Sequence, residues 1–140
     1  MTRFVLDTDI VSLLQRGNET VIAHVGSHPP EEVATTIITV EEQLSAWYTL
    51  LRRARTAKHL VPIYERMSDT LQFLSRLQLL TFTDAAADVY EHLRKQKPRK
   101  GRMDLRIAAI ALAHNATLVT RNLTDFDDIE GLTVVDWSRG

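Results

Sequence analysis

The chain has 140 residues, 44% of them hydrophobic and 25% charged, with a formal net charge of −1 at pH 7. That is enough for one domain around one sizeable core, and too little positive charge to coat nucleic acid by bulk attraction. The absence of cysteine excludes disulfide frameworks and thiolate metal sites, so any metal must be held by oxygen or imidazole.

Phe4-Val5-Leu6 is a short apolar run that stops abruptly at Asp7. A run without alternation suits a strand buried on both faces, as in a parallel sheet. The spacing then predicts a helix from about Thr8 to Gln15, ended by Arg16-Gly17-Asn18. Asp7 therefore falls at a strand's carboxyl end, the edge at which open α/β sheets bind ligands, although capping alone would also place an acid there. A second short helix, Glu19 to about Ser27, must stop before His28-Pro29-Pro30. The β-branched stretch Val33 to Ile38 reads as a second strand, and Thr39-Val40-Glu41-Glu42 as a capping box opening the next helix. That puts Glu42, too, within a turn of a strand end.

Two amphipathic helices follow. Leu44, Trp47, Tyr48 and Leu51 mark one stripe, and Leu60, Ile63, Tyr64, Met67, Leu71 and Leu74 the other, giving a helical hairpin. Core packing is the ordinary fate of such stripes, with a partner surface as the alternative. Leu77 to Phe82 predicts a third strand and Thr83-Asp84 the start of a helix reaching about Lys95. Seven of the 17 Lys and Arg residues then lie between positions 94 and 106, in a loop marked by Pro98 and Gly101. A solvated loop is the usual meaning of such a run, but this one leads directly to Asp104, at the start of the Ala-rich helix ending near His114. Thr117 to Thr120 is a fourth strand, followed five residues later by Asp125, and Gly131 to Trp137 closes the chain with a short edge strand.

The β-α-β alternation requires parallel strands, so Asp7, Glu42, Asp104 and Asp125 are expected at one edge. Carboxylates about 4 Å apart repel by roughly 4 kcal/mol at an effective dielectric near 20, so such a cluster must take up protons or hold a cation. All-oxygen ligands select Mg²⁺ or Mn²⁺, and beside a basic loop the economical chemistry is phosphodiester hydrolysis.

These residues resemble the PIN-domain ribonucleases, and among them the VapC toxins of bacterial toxin–antitoxin pairs. The resemblance is carried by Val5-Leu6-Asp7-Thr8-Asp9, Ile38-Thr39-Val40-Glu41-Glu42, Asp104 with Ile107-Ala108-Ala109, Leu118-Val119-Thr120-Arg121-Asn122 with Asp125-Phe126, and the ending Gly131 to Trp137. It implies a single PIN domain over residues 1–140: a three-layer α/β/α fold with a central parallel sheet of four to five strands and a helical hairpin. It implies Asp7, Glu42, Asp104 and Asp125 as catalytic and metal-binding acids for one or two Mg²⁺ or Mn²⁺ ions, with Thr8, Thr120 and Asn122 as polar neighbours. Endonucleolytic cleavage of RNA leaving a 5′-phosphate and a 3′-hydroxyl would follow, with Arg94, Lys97, Arg99, Lys100, Arg102 and Arg106 on the RNA backbone. A VapB-type antitoxin and a homodimer are the implied partners. Two departures stand out: Asp9 replaces the family's more frequent Asn, and Met103 precedes Asp104 where Asn is common.

No stretch approaches the roughly 18 apolar residues of a membrane span and no apolar leader precedes Phe4, so a cytoplasmic protein without membrane contact is expected. Two rivals remain. Asp7-Thr8-Asp9-Ile10-Val11 also fits the opening of haloacid-dehalogenase-like phosphatases, with Asp7 as nucleophile, but that reading leaves Glu42 and Asp104 unexplained. A catalytically silent PIN-fold binding partner is the other, and the intact set of acids argues against it.

Overall fold

The computed structural model describes all 140 residues, Met1–Gly140. Five parallel strands form one sheet: β1 (Phe4–Leu6), β2 (Val33–Thr36), β3 (Gln78–Leu80), β4 (Thr117–Val119) and β5 (Val134–Val135), in the order β3-β2-β1-β4-β5. Seven helices connect and cover them: α1 (Thr8–Gln15), α2 (Glu19–Gly26), α3 (Ile37–Arg53), α4 (Ala57–Leu74), α5 (Asp84–Gln96), α6 (Arg102–Ala113) and α7 (Leu123–Phe126). Strand alternation sorts the core into two layers. Val5, Ala34 and Leu118 point to one face and pack with Tyr90 and Leu93 of α5 and Leu105, Ile107 and Ile110 of α6. Their neighbours Leu6, Val33 and Val119 point to the other, against Ile10 and Val11 of α1, Val21 of α2 and Leu74 of α4. The result is the α/β/α sandwich that the continuous apolar strands require, because neither face of β1 can meet water.

The central position of β1 follows from its pairing with both β2 and β4, Leu6 lying opposite Thr35 on one side and Val119 on the other. Its end, and hence Asp7, is therefore enclosed by two neighbouring strand ends. Trp137 is buried and fastens the chain's end to the second layer, stacked against His24 and His28 at centroid distances of 5.5 and 5.1 Å.

Three local expectations differ. β2 ends at Thr36, and Thr36, not Thr39, caps α3 by accepting from the Thr39 amide at 3.2 Å. The β-branched Ile37-Ile38-Thr39 thus spends its preference in a helix, because the first turn packs Ile38 into the core and Thr39 against α1. α6 begins two residues earlier than Asp104, which places that acid inside the first turn rather than at its threshold. The segment after β4 contains α7, a single short turn, anchored by buried Phe126 and Ile129.

Candidate metal centre

Asp7 is the hub of the sheet edge. It is only 5% exposed, and both of its carboxylate oxygens are held: Oδ1 accepts from the Thr8 amide and Oδ2 from the Thr120 hydroxyl, each at 2.8 Å. Thr120 is placed by the exit of β4, where its amide donates to the Val135 carbonyl, and its hydroxyl also accepts from the Asn122 amide at 3.1 Å. Burial, chiefly, and then the neighbouring charge of Asp9 push the Asp7 carboxyl up to about 7, against the lowering effect of the Thr120 and Thr8 hydrogen bonds; Asp104 also raises it.

Asp104 is half-buried and its carboxyl is raised by burial first and by Asp125 next, with Lys100 acting in the opposite direction and Asp9 adding to the rise. Asp125, in α7, is exposed at the rim. Glu42 reaches the edge from the second turn of α3 and accepts from the Thr8 hydroxyl at 2.6 Å. Because Thr8 has one hydroxyl proton and gives it to Glu42, Thr39 must donate across the 3.0 Å contact between the two threonine hydroxyls. Glu41 is exposed. Asp7, Asp104 and Asp125 are thus electrostatically linked, and Glu42 joins them through Thr8. Nowhere, however, do three or more Asp, Glu or His side chains converge into a ready-made cage. The tight four-acid cluster expected from the sequence is instead a looser arc: Asp7 and Glu42 have hydrogen-bond partners, Asp104 is half-buried without one, and Asp125 is exposed at the rim.

Asp9 is the residue whose part the sequence left open. Its Oδ2 accepts from the Arg121 amide at 3.2 Å, tying α1 to the exit of β4, while Oδ1 is buried with no hydrogen-bond partner. Burial is the main cause that raises its carboxyl above the usual range. The desolvated Asp7 carboxyl near neutrality, the orphaned Asp9 oxygen and an all-oxygen donor set fit a hard divalent cation.

The basic residues divide. Lys97 and Lys100 pair with Asp128 at 3.4 and 3.0 Å, Arg94 pairs with Glu91 at 3.5 Å, and Arg106 lies over the Tyr90 ring, 5.6 Å from its centroid. Arg99 and Arg102 are exposed and make no ion pair. Asp128 was not among the expected site residues, and its partnership with lysines 28 and 31 positions earlier has no signature in sequence spacing.

The sequence model of the PIN domain matches residues 4–132. The chain belongs to the PIN-domain family. This PIN domain is 39% identical over 71 residues to a curated relative, "Ribonuclease VapC2" of Rickettsia felis; the match covers 48% of this chain and 53% of the relative, about half of its length. In structure it is similar to a chain of VapBC2 from Rickettsia felis bound to a promoter DNA fragment, with a TM-score of 0.77, 25% identity and coverage of 97% of this chain and 99% of that one. FitAcB from Neisseria gonorrhoeae gives 0.74 and 26%, covering 98% and 99%. DNA-bound VapBC from Salmonella typhimurium gives 0.80 over 98% and 99%, at 22% identity, which speaks for the fold. PIN membership removes the support for a haloacid-dehalogenase-like phosphatase.

Proposed function

We propose that this PIN domain is a Mg²⁺- or Mn²⁺-dependent endoribonuclease and the toxin of a VapBC-type toxin–antitoxin pair, active in the cytoplasm. The observation that carries the metal is Asp7: a carboxyl with a pKa of about 7, at the end of the central strand and facing other acids, is only half ionised at neutral pH unless a cation accompanies it. The name of the Rickettsia felis relative favours a ribonuclease, and likeness to a chain of a toxin–antitoxin complex from Klebsiella pneumoniae favours a toxin.

Asp7 and Asp104 would be the principal ligands, with Glu42 and Asp125 completing the site for one or two ions. When bound, such an ion supplies charge neutralisation for the acids and lowers the pKa of water toward neutrality for attack on a phosphodiester. The chain's own groups do the rest. Thr120 and Thr8 fix the two oxygens of Asp7, Thr8 orients Glu42, and the Asn122 amide keeps the Thr120 hydroxyl aimed at Asp7. Arg99 and Arg102, which have no internal partner, are the cations most ready to take RNA phosphates, with Arg94, Lys97, Lys100 and Arg106 beside them.

For the antitoxin, a groove of about 880 Å³ opens between α1, α3 and α4, bordered by Arg16, Trp47, Arg66, Phe73 and Arg76. It suits an amphipathic segment carrying acidic side chains. Exposed Tyr48, Val61, Tyr64 and Leu71 on the same hairpin leave apolar surface for that partner or for a homodimer. No helix is long and apolar enough to cross a membrane. The test is to incubate the purified chain with single-stranded RNA in Mn²⁺, Mg²⁺ or EDTA and to analyse the product ends. Metal-dependent cuts leaving 5′-phosphates support the reading; no cleavage under any metal, with RNA still bound, would favour a silent binding partner.

A further inference from the structure

The loop between α5 and α6 does more than expose positive charge. Lys100 places its ammonium 3.0 Å from Oδ1 of Asp128 and donates to the Asp125 carbonyl at 2.5 Å, while Lys97 lies 3.4 Å from the other Asp128 oxygen. One carboxylate therefore bridges two ammonium groups. Lys100 first, and Lys97 after it, hold that carboxyl below the usual range. Lys100 also borders a recess of about 310 Å³ whose other walls are Arg94, Lys95, Pro98, Arg102 and Leu105. Four cations line it and no acid does. The recess adjoins the acids, because Lys100 donates to the Asp125 carbonyl and a Cβ on the next residue, Gly101, would lie 3.8 Å from an Asp104 carboxylate oxygen.

We propose that Lys97 and Lys100, together with the recess that Lys100 borders, form a binding subsite for a backbone phosphate of a single-stranded nucleic acid, and that Asp128 is its built-in competitor, holding both lysines until a phosphate displaces it. The proposal rests on the nuclease reading above. A phosphodiester carries one negative charge shared by two oxygens, as a carboxylate does, so it can replace Asp128 on both lysines without changing the charge balance there. The Asp128 side chain is 48% exposed, and ion pairs so open to water are readily exchanged.

A merely structural Asp128, fastening the loop for RNA to use, predicts the opposite sign on its removal. The full chain is titrated with a fluorescent single-stranded RNA oligonucleotide across a range of salt, in Ca²⁺, an oxygen-seeking ion less demanding of octahedral geometry than Mg²⁺. Asp128→Asn and, as a second variant, Asp128→Ser should each tighten binding about fivefold. The slope of log affinity on log salt should steepen by about 0.7, for the one phosphate that the two lysines share. Adding Lys97→Ala and Lys100→Ala to Asp128→Asn should abolish both gains. Unchanged or weaker binding in both Asp128 variants, with wild-type binding intact, overturns the competitor and leaves the nuclease reading standing. If the wild type and every variant neither bind nor cut RNA, the nuclease reading falls and this proposal with it.

Discussion

Asp7, a metal ligand in the proposed function, also sets a pH response of the metal-free protein. Its folded carboxyl lies at about 7 against an ordinary 3.8, so between those values the folded state binds a proton that the unfolded chain has released. Stability from this group is fully present below about pH 4 and is lost as pH rises through 7, by at most ~4 kcal/mol. Thermal melts in EDTA should therefore fall across that window, and Asp7→Asn should flatten the fall; a melt that rises from pH 4 to 7 in both proteins would contradict this. Asp7→Asn and Asp104→Asn should each lower RNA cleavage by at least about 1,000-fold, the scale of an essential electrostatic group, with the fold retained by circular dichroism. Thr120→Val removes a hydroxyl that donates to Asp7. It should raise the Asp7 pKa further, read as a higher pH midpoint in the same melts, and an unmoved midpoint would deny Thr120 that part.

At the scale of elements, the strand-to-helix junctions position the acids. Thr36 caps α3 and so fixes the turn that brings Glu42 to Thr8. Thr36→Ala should cost about 1 kcal/mol of stability, measured by urea unfolding, since a cap of this kind is worth that much; a loss within error would mean that core packing alone sets the start of α3. The strands and α1 were legible because β1 is a continuous apolar run and Asp7 an abrupt stop. The start of α3 was not: Thr36 and Thr39 both have cap chemistry, and only the burial of Ile38 and Thr39 against the sheet and α1 decides between them. The places of Asp7 and Asp104 at the sheet edge could be read from strand ends and helix starts, whereas the Asp9 bond to the Arg121 amide and the Asp128 bridge join residues 112 and 28 to 31 positions apart, which no local pattern records.

Across the whole molecule the acids lie at the sheet edge and exposed apolar side chains lie on the hairpin. The expected stripes of α3 and α4 are present, but Tyr48, Val61, Tyr64 and Leu71 remain exposed and only Leu74 is fully buried in the core, so the hairpin is surface more than core. Expression of the chain alone should arrest growth, and co-expression with a genomic neighbour encoding a small antitoxin should relieve it. The account as a whole depends on the acids at the sheet edge holding a divalent cation. Calorimetric titration of the metal-free protein with Mn²⁺ tests this most directly. Saturable binding that is lost or at least tenfold weaker in Asp104→Asn is expected; equal affinity in the two proteins, or no binding by the wild type at millimolar Mn²⁺, would contradict it.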